Sequence, residues 1–443
     1  MNLRNKIKNY EIEMKETLKK LVSQASILDE NNENYPFGKE IDDCLKETLN
    51  ICENLGFETY YGDGYYGYAE IGSGDELIGI LGHLDVVPAG DINNWNTPPF
   101  ELTEKNGKLY GRGSVDDKGP LVAALYAVKT LMDSNLNFNK RIRFIFGVDE
   151  ENLWRSINKY LENEEKPDMG FTPDSSFPMI HAEKGLLQFK LTSNKSSTIN
   201  LKGGNAFNAV PDKIIYSSDK ANLIAANLNK LNYEYKQNNT ITVMGKGAHA
   251  SKPYNGKNAI TRLTEALINS NIENQSLNFI NDIIANDHHG ENIFGDCSDE
   301  PSGKLTINLG KIDLDDQKQE LSFDIRIPVT KNKEEIVNKI KKKAEEYNLK
   351  YEEYDYLDSL YVPKDHFLIK TLSKVYKEET KLDPAPSTRG AATYARAIEN
   401  CVAFGPIFPG QEKVEHQANE YIESDSLIKC ANIYAKAIYE LSK

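Results

Sequence analysis

The sequence predicts an α/β fold, an open mixed sheet with helices on both faces, into which a second α+β unit is inserted. Apolar runs without polar alternation, typical of strands buried on both faces, alternate with helical periodicities. The most informative run is Leu77–Asp85, whose apolar stretch ends on a polar pair. The pattern changes between Gly185 and about Val362 and then resumes, which indicates an insertion.

The length of the chain predicts two domains. At 443 residues it exceeds what a single hydrophobic core usually holds. We predict a first domain from residues 1–185 and 363–443, with 186–362 inserted between them as the second domain. Strands are also expected in the insertion at 186–192 and 240–246, and helices at 217–229 and 257–272. The second half of the insertion has the helix and strand order of a ferredoxin-type layer, with predicted elements at 304–311, 319–327, 333–347 and 349–355.

The elements of the first domain follow from periodicity and turn residues. Helical spacing covers 5–29 and 38–55, and a further helix begins at Gly119-Pro120. A hairpin is expected around Gly62-Asp63-Gly64. The segment Pro88–Gly113 is rich in Gly, Pro, Asn and Asp and predicts a long irregular loop of functional importance. Buried strands are predicted at Leu77–His83, Arg141–Val148, Met169–Thr172 and Cys401–Gly405.

Composition excludes some classes of function. The net charge of −14 argues against a non-specific nucleic-acid binder, because the phosphate backbone favours basic surfaces. No apolar stretch approaches the length of a membrane span, and the first residues are charged throughout, so we expect a cytoplasmic protein with no membrane partner. The five cysteines form no C-x-x-C pair, which fits reduced thiols.

Polar residues recur where the predicted strands end. In an open α/β sheet, sites assemble at the carboxyl ends of the strands. His83 and Asp85 share a face in extended chain, so Asp85 can hydrogen-bond the imidazole and leave its other nitrogen free for a metal. Each motif alone also has an ordinary structural explanation. A buried histidine can be satisfied by a carboxylate, an acidic run can be a solvated turn, and an Asp pair can cap a helix. The residues in that position, outside the carboxyl ends of the predicted strands, are His83, Glu150, Glu151, Asp174 and His416, and the long loop before the Gly119-Pro120 helix adds Asp116.

Two histidines and three carboxylates form a set of nitrogen and oxygen ligands. Such ligands suit zinc, manganese or cobalt better than copper(I) or an iron–sulfur cluster. If one carboxylate is shared, five side chains supply three ligands to each of two ions, and two divalent cations offset the charge of the carboxylates and a shared hydroxide. Glu150 and Glu151 point in different directions in extended chain, so one can bind metal while the other acts as a general base.

Several motifs together resemble the M20 metallopeptidase family, most closely its PepV-like dipeptidase branch. The residues that carry the resemblance are Gly82–Pro88, Gly111–Pro120, Asp149–Glu151 and His416. The resemblance implies a zinc-exopeptidase-like catalytic domain with an inserted lid domain. It also implies that His83 and Asp174 hold one ion, that Glu151 and His416 hold the other, and that Asp116 bridges them. Glu150 would be the general base, and Asp85 the partner that orients His83.

The resemblance extends into the insertion. The segment Gly245–Ser251 is similar to the lid motif of the family, whose histidine, here His249, would stabilise the tetrahedral oxyanion. Asn208 and Arg326 would hold the carboxylate of the substrate, work that suits the bidentate fork of an arginine. Without the resemblance, His249 could lie in a surface turn and Arg326 could pair with Asp324.

The resulting expectation is a hydrolase that cleaves the amide bond of short peptides with two divalent ions. Zinc is expected, with manganese or cobalt as alternatives, and the resemblance favours a monomer. A deacylase of N-acyl amino acids with the same metal centre is an alternative, and so is a catalytically silent binding protein. Related dipeptidases carry three glycines where this chain has Gly390-Ala391-Ala392, so the two alanines would reshape the substrate pocket.

Overall fold

The computed structural model describes residues 3–31, 34–136, 138–390 and 392–443. The segment predicted as one helix over 5–29 is two helices, because the chain leaves helical geometry at Tyr10 (φ −91°, ψ 4°). None of the described helices is both long enough and apolar enough to cross a membrane. The helices are α1 Leu3–Asn9, α2 Glu11–Val22, α3 Lys39–Leu55, α4 Lys118–Met132, α5 Arg155–Asn163, α6 Ala221–Lys230, α7 Ala259–Ile268, α8 Gln275–Phe279, α9 Glu291–Phe294, α10 Lys333–Glu345, α11 Phe367–Thr380 and α12 Ser424–Leu441.

The strands are short at the periphery and longer in the two main sheets. The segment predicted as an irregular loop, Pro88–Gly113, contains a small hairpin made of the fourth and fifth strands. In chain order the strands are β1 Glu58–Gly62, β2 Tyr66–Ile71, β3 Leu77–His83, β4 Thr103–Lys105, β5 Lys108–Tyr110, β6 Arg141–Gly147, β7 Met169–Thr172, β8 Ser175–Ser176, β9 Ile180–Glu183, β10 Gly185–Ser193, β11 Leu201–Gly203, β12 Lys213–Tyr216, β13 Tyr235–Gln237, β14 Ile241–Met244, β15 Ser298–Asp299, β16 Gly303–Lys304, β17 Thr306–Leu314, β18 Gln319–Ile327, β19 Lys350–Leu357, β20 Leu360–Tyr361, β21 Ser387–Arg389, β22 Cys401–Ala403, β23 Pro406–Ile407 and β24 Tyr421–Glu423.

The chain forms two compact units. Unit 1 consists of Met1–His181, Val362–Ser387 and Thr393–Lys443, and unit 2 consists of Ala182–Tyr361 and Thr388–Ala392. The sequence prediction placed the insertion at 186–362. The short segment Thr388–Ala392, which lies far from the insertion along the chain, clusters with unit 2 in the structure.

The main sheet of unit 1 is mixed, with strand order β1-β2-β6-β3-β7-β22. Strands β6, β3, β7 and β22 are parallel, and β2 joins β6 antiparallel. Every residue of β3 is buried, as its unbroken apolar run predicts for a central parallel strand. Helix α4 contacts β3, and helices α3 and α5 contact β2. The parallel strands end at one edge of the sheet, which places the residues that follow β3, β6 and β7 beside one another.

Unit 2 is built on an antiparallel sheet with strand order β11-β17-β18-β10-β19. One face of this sheet is apolar and packs in a hydrophobic core with residues such as Leu187, Phe323 and Ile325. The opposite face carries polar side chains that are also buried, namely Thr306, Asn308, Asp324 and Arg326. The predicted fold class, an α/β sheet domain with an inserted α+β unit, is confirmed.

Candidate metal centre

His83 is the last residue of β3, and its side chain is fully buried. Its Nδ1 lies 2.9 Å from the backbone carbonyl oxygen of Asp85. Because a carbonyl oxygen can only accept a hydrogen bond, Nδ1 carries a hydrogen, and Nε2 is the ring nitrogen that faces the carboxylates of the centre. A metal-binding histidine is usually oriented in this way.

The Asp85 carboxylate has a different partner from the one that the sequence predicted. Its two oxygens accept the backbone N–H groups of Glu150 at 3.1 Å and Glu151 at 3.0 Å. Its distance to His83 Nδ1 is 3.6 Å, too long for a hydrogen bond. Two successive N–H groups in the turn after β6 donate to this carboxylate. The imidazole of His83 therefore donates to the backbone carbonyl of Asp85 instead. Asp85 therefore orients His83 through its backbone and fixes the two glutamates through its side chain.

Asp116 lies between the two predicted histidine ligands. Its Oδ1 is 3.0 Å from Nε2 of His83, and its Oδ2 is 3.0 Å from Nε2 of His416. One carboxylate thus offers a separate oxygen to each side of the centre. This arrangement suits a carboxylate shared by two ions.

The remaining carboxylates complete the cluster. Glu151 Oε2 lies 3.0 Å from Nε2 of His416, and Asp174 Oδ2 lies 3.9 Å from Nε2 of His83. The structure therefore brings together all five side chains that the sequence predicted as ligands. Ligand atoms of His83, Asp116 and Glu151 lie within 4.8 Å of one another, and so do those of His83, Glu150 and Asp174. Glu150 is thus at the same centre.

The electrostatics of the centre reflect the crowding of acidic groups. Burial lowers the pKa of His83, but the hydrogen bond to Asp116 and the nearby carboxylate of Asp85 outweigh it and hold that pKa well above its usual value. Hydrogen bonds to Asp116 and Glu151 raise the pKa of His416 to about 11. Burial raises the pKa of Glu150 well above its usual value, and the neighbouring carboxylates of Asp174 and Glu151 act in the same direction. Clustered carboxylates beside imidazole nitrogens form a donor set that fits divalent cations.

A buried ion pair supports the loop that carries Asp116. Arg112 donates from Nη1 to Glu420 Oε2 at 2.7 Å, and both side chains are almost completely buried. The other oxygen of Glu420 accepts the backbone N–H groups of Val115 at 3.0 Å and Asp116 at 3.2 Å. Burial, reinforced by the charge of Asp116, raises the pKa of Glu420 to about 7. Glu420 was not among the residues predicted from the sequence, although it follows His416 by only four residues.

The same pair ties the His416 loop to the long segment after β3. Arg112 also donates to the carbonyl oxygens of Gln417 and Pro88, both at 3.2 Å. Asn419 accepts the backbone N–H of Asn96 at 2.6 Å through its side-chain oxygen. The segment after β3 therefore positions the loop that carries His416 near Asp116.

Glu420→Ala is expected to lower the free energy of unfolding by about 3–5 kcal/mol, because removal of one partner leaves the buried charge of Arg112 uncompensated. The same change is expected to weaken metal binding, because the N–H groups of Val115 and Asp116 lose their acceptor. Chemical unfolding and calorimetric metal titration measure the two effects. Glu412→Ala, on the exposed part of the same loop, is the matched control. Equal stability and metal affinity in the two variants would show that the pair does not support the centre.

Comparison with known proteins identifies the family. Residues 79–440 match the peptidase family M20/M25/M40. The chain belongs to this family. It is 37% identical to the putative dipeptidase YtjP of Bacillus subtilis (strain 168), over 94% of this chain and 95% of that relative.

Solved structures of M20 peptidases and related enzymes share the fold. Human carnosine dipeptidase 1 superposes with a TM-score of 0.60 at 16% identity, covering 100% of this chain and 98% of the human chain. The YxeP protein of Bacillus subtilis, described as a dinuclear metal-binding peptidase of the M20 family, superposes with a TM-score of 0.55 at 12% identity, covering 98% and 99% of the two chains. The family match and the 37% identity to YtjP confirm the prediction of an M20 peptidase, and the solved structures show the same fold.

The M20 lid residues predicted from the sequence lie in unit 2. His249 and Asn208 are exposed there, on two segments that pair through the Ala209–His249 bridge. Arg326 is buried and makes a bidentate ion pair with Asp324, at 2.6 and 3.0 Å. This pairing is the alternative that the sequence left open for Arg326. Of the two alanines that replace family glycines, Ala392 is partly buried, whereas Ala391 lies outside the described residues.

Proposed function

We propose that this M20 peptidase is a dipeptidase that hydrolyses the amide bond of unmodified dipeptides at a two-metal centre. The observation that carries the proposal is the position of Asp116, with one oxygen 3.0 Å from each histidine. His83 and Asp174 would bind one ion, and Glu151 and His416 would bind the other. Asp116 would bind both ions. The nitrogen and oxygen ligands favour zinc, with manganese or cobalt as alternatives. The similarity to YtjP and to carnosine dipeptidase 1 supports short peptides as substrates.

When bound, two divalent ions polarise a peptide carbonyl and lower the pKa of a shared water. Glu150 then accepts the proton of the attacking water and returns it to the leaving amine. Its raised pKa favours the second of these steps, the return of the proton to the leaving amine. Asp85 holds the backbone of Glu150 and Glu151, so it keeps the base and the neighbouring ligand in fixed directions.

Unit 2 contributes the groups that recognise the substrate in this proposal. His249 donates to the developing oxyanion, and Asn208 and Arg326 bind the terminal carboxylate. Among the described residues, Arg326 donates two hydrogen bonds to Asp324 and one to the carbonyl of Gly390, and the remaining Nη hydrogens of its fork would serve a carboxylate. We also propose that the chain acts as a monomer with its own His249. A cytoplasmic location is supported by the five free cysteines.

Hydrolysis of a panel of substrates tests the proposed function. Purified protein loaded with zinc, manganese or cobalt is assayed on free dipeptides, on the same dipeptides with amidated carboxyl ends, and on N-acetyl amino acids. We expect turnover of free dipeptides and much weaker turnover of the amides. Activity on N-acetyl amino acids alone would replace the proposal with a deacylase. The absence of any metal-dependent hydrolysis would favour a binding protein.

Asn208→Ala is expected to raise KM for free dipeptides about tenfold or more, because a hydrogen bond to a charged group contributes about 1.5–3 kcal/mol. The dipeptide amides already lack the carboxylate, so the substitution should change their KM little. Steady-state kinetics on both substrates measures the difference. Asn205→Ala, an exposed residue of the same loop, is the matched control. An equal rise in KM for acids and amides would exclude Asn208 as the carboxylate-binding residue.

A further inference from the structure

The Nδ1 atom of His249 accepts hydrogen bonds from its own loop. The backbone nitrogen of Ser251 lies 3.1 Å from Nδ1, and the Ser251 hydroxyl oxygen lies 2.8 Å from it. A backbone N–H group can only donate, so Nδ1 must present its lone pair to it. The single hydrogen of the neutral ring is therefore on Nε2. This is the reverse of His83, where a carbonyl oxygen fixes the hydrogen on Nδ1.

The backbone on both sides of His249 is fixed. Ala250 donates its N–H to the carbonyl oxygen of Asn208 at 2.9 Å, and Val210 donates to that of Ala248 at 2.8 Å. The Thr306 hydroxyl, on the buried polar face of the sheet, donates to the carbonyl oxygen of Ala250 at 3.3 Å. The ring is therefore attached to a rigid pair of segments rather than to a free loop.

Gly390 fits against Ser251 because it lacks a side chain. A Cβ atom at position 390 would lie 2.8 Å from the Cβ of Ser251, closer than such atoms approach in real structures. Arg326 Nη1 donates to the carbonyl oxygen of Gly390 at 2.8 Å, and Lys184 donates its backbone N–H to that of Arg389 at 3.1 Å. Arg389 and Gly390 are thereby held in unit 2, with Gly390 against Ser251.

The charged groups around the ring favour its neutral form. Partial desolvation lowers the pKa of His249 below its usual value, and the positive charge of Arg326 lowers it further, against the smaller opposing effect of Asp324. The buried Asp324 carboxylate also accepts from Gln188 at 3.1 Å, which keeps it directed at the guanidinium. A neutral ring with hydrogen on Nε2 presents one N–H donor on the side away from Ser251.

We propose that Ser251 is a positioning residue that fixes His249 in the Nε2–H tautomer, and that Gly390 keeps Ser251 in place. His249 then presents an uncharged N–H donor, ready for the oxyanion that forms during hydrolysis. The use of this donor rests on the proposed dipeptidase function. The tautomer itself does not, because it is a property of the chain without substrate.

Nitrogen NMR of the full chain tests the tautomer directly. Protein labelled with 15N-histidine and loaded with zinc is compared with His249→Gln, whose missing signals assign the ring. The proposal expects an unprotonated Nδ1 and a protonated Nε2 at neutral pH. A protonated Nδ1 would overturn the proposal about Ser251, and that result would not decide whether the protein hydrolyses dipeptides. If the tautomer is as expected but no dipeptide is hydrolysed, the proposed function fails and the inference about Ser251 stands.

Substitutions separate positioning from general structure. Ser251→Ala removes the hydroxyl but keeps the backbone N–H that donates to Nδ1, so it is expected to raise the population of the Nδ1–H tautomer without making it the major form, and to lower kcat by up to about tenfold with KM nearly unchanged, the effect of one lost hydrogen bond. Ser251→Thr keeps the hydroxyl and should restore most of kcat. Gly390→Ala should reproduce Ser251→Ala, whereas Gly185→Ala, where an added Cβ meets its nearest neighbour at 3.5 Å, should not. Unchanged NMR signals and kcat in both Ser251→Ala and Gly390→Ala would contradict the proposal.

Discussion

Glu150→Gln is expected to lower kcat for dipeptides by about 10³-fold, within the range that general acid–base catalysis usually contributes. The amide cannot accept the proton of the attacking water, but it keeps the size of the side chain. The backbone N–H of residue 150 still donates to Asp85, so the turn after β6 is preserved. Because Glu151 rather than Glu150 is the proposed ligand, the variant should still bind two divalent ions.

Metal content decides between the two roles open to Glu150. Its carboxylate lies close enough to His83 and Asp174 to act as a ligand. Elemental analysis of Glu150→Gln, beside steady-state kinetics, separates a lost base from a lost ligand. Glu162→Gln, on the exposed face of α5, is the control. Loss of one ion in the variant would make Glu150 a ligand, and full activity with two ions would remove it from the mechanism.

Asp116→Ala is expected to abolish detectable hydrolysis and to reduce metal content from two ions to one or none per chain. Its two oxygens lie 3.0 Å from His83 and His416 respectively, so each half of the proposed centre would lose a ligand in a single substitution. Wild-type protein should gain thermal stability when divalent ions are added, because a ligand that binds only the folded state stabilises it. The variant should lose most of that gain.

Elemental analysis and thermal unfolding with and without added zinc measure these effects. Asp75→Ala, an exposed aspartate before β3, is the matched control. Two tightly bound ions in Asp116→Ala would be incompatible with a shared carboxylate at this position.

The sequence predicted the site best where polar residues stand at the ends of apolar strand patterns. The apolar run of β3 predicted a buried central strand, and the polar residues at strand ends predicted a cluster at one edge of the sheet. His83 is the last residue of β3 and Asp174 follows β7, yet their side chains approach to 3.9 Å because these parallel strands end at the same edge of the sheet. Family motifs added the roles of individual residues, which periodicity alone does not distinguish.

Other features depend on geometry that no local pattern encodes. The sequence suggested the Asp85 side chain as the partner of His83. It did not indicate that the backbone carbonyl of Asp85 accepts from the imidazole, while the Asp85 carboxylate accepts from the backbone N–H groups of Glu150 and Glu151. The Arg112–Glu420 pair joins residues about three hundred positions apart, so neither residue signals the other in the sequence. Arg389 and Gly390 lie with unit 2 because their carbonyl oxygens accept hydrogen bonds from Lys184 and Arg326, contacts that require the folded sheet.

Crystals of zinc-loaded protein, measured at the zinc absorption edge, test the central claim most directly. The account predicts two anomalous peaks about 3.5–4 Å apart, as in other two-metal hydrolytic sites, with Asp116 between them. His83 and Asp174 should bind one ion, and Glu151 and His416 the other. A single peak, or two peaks away from Asp116, would contradict the account.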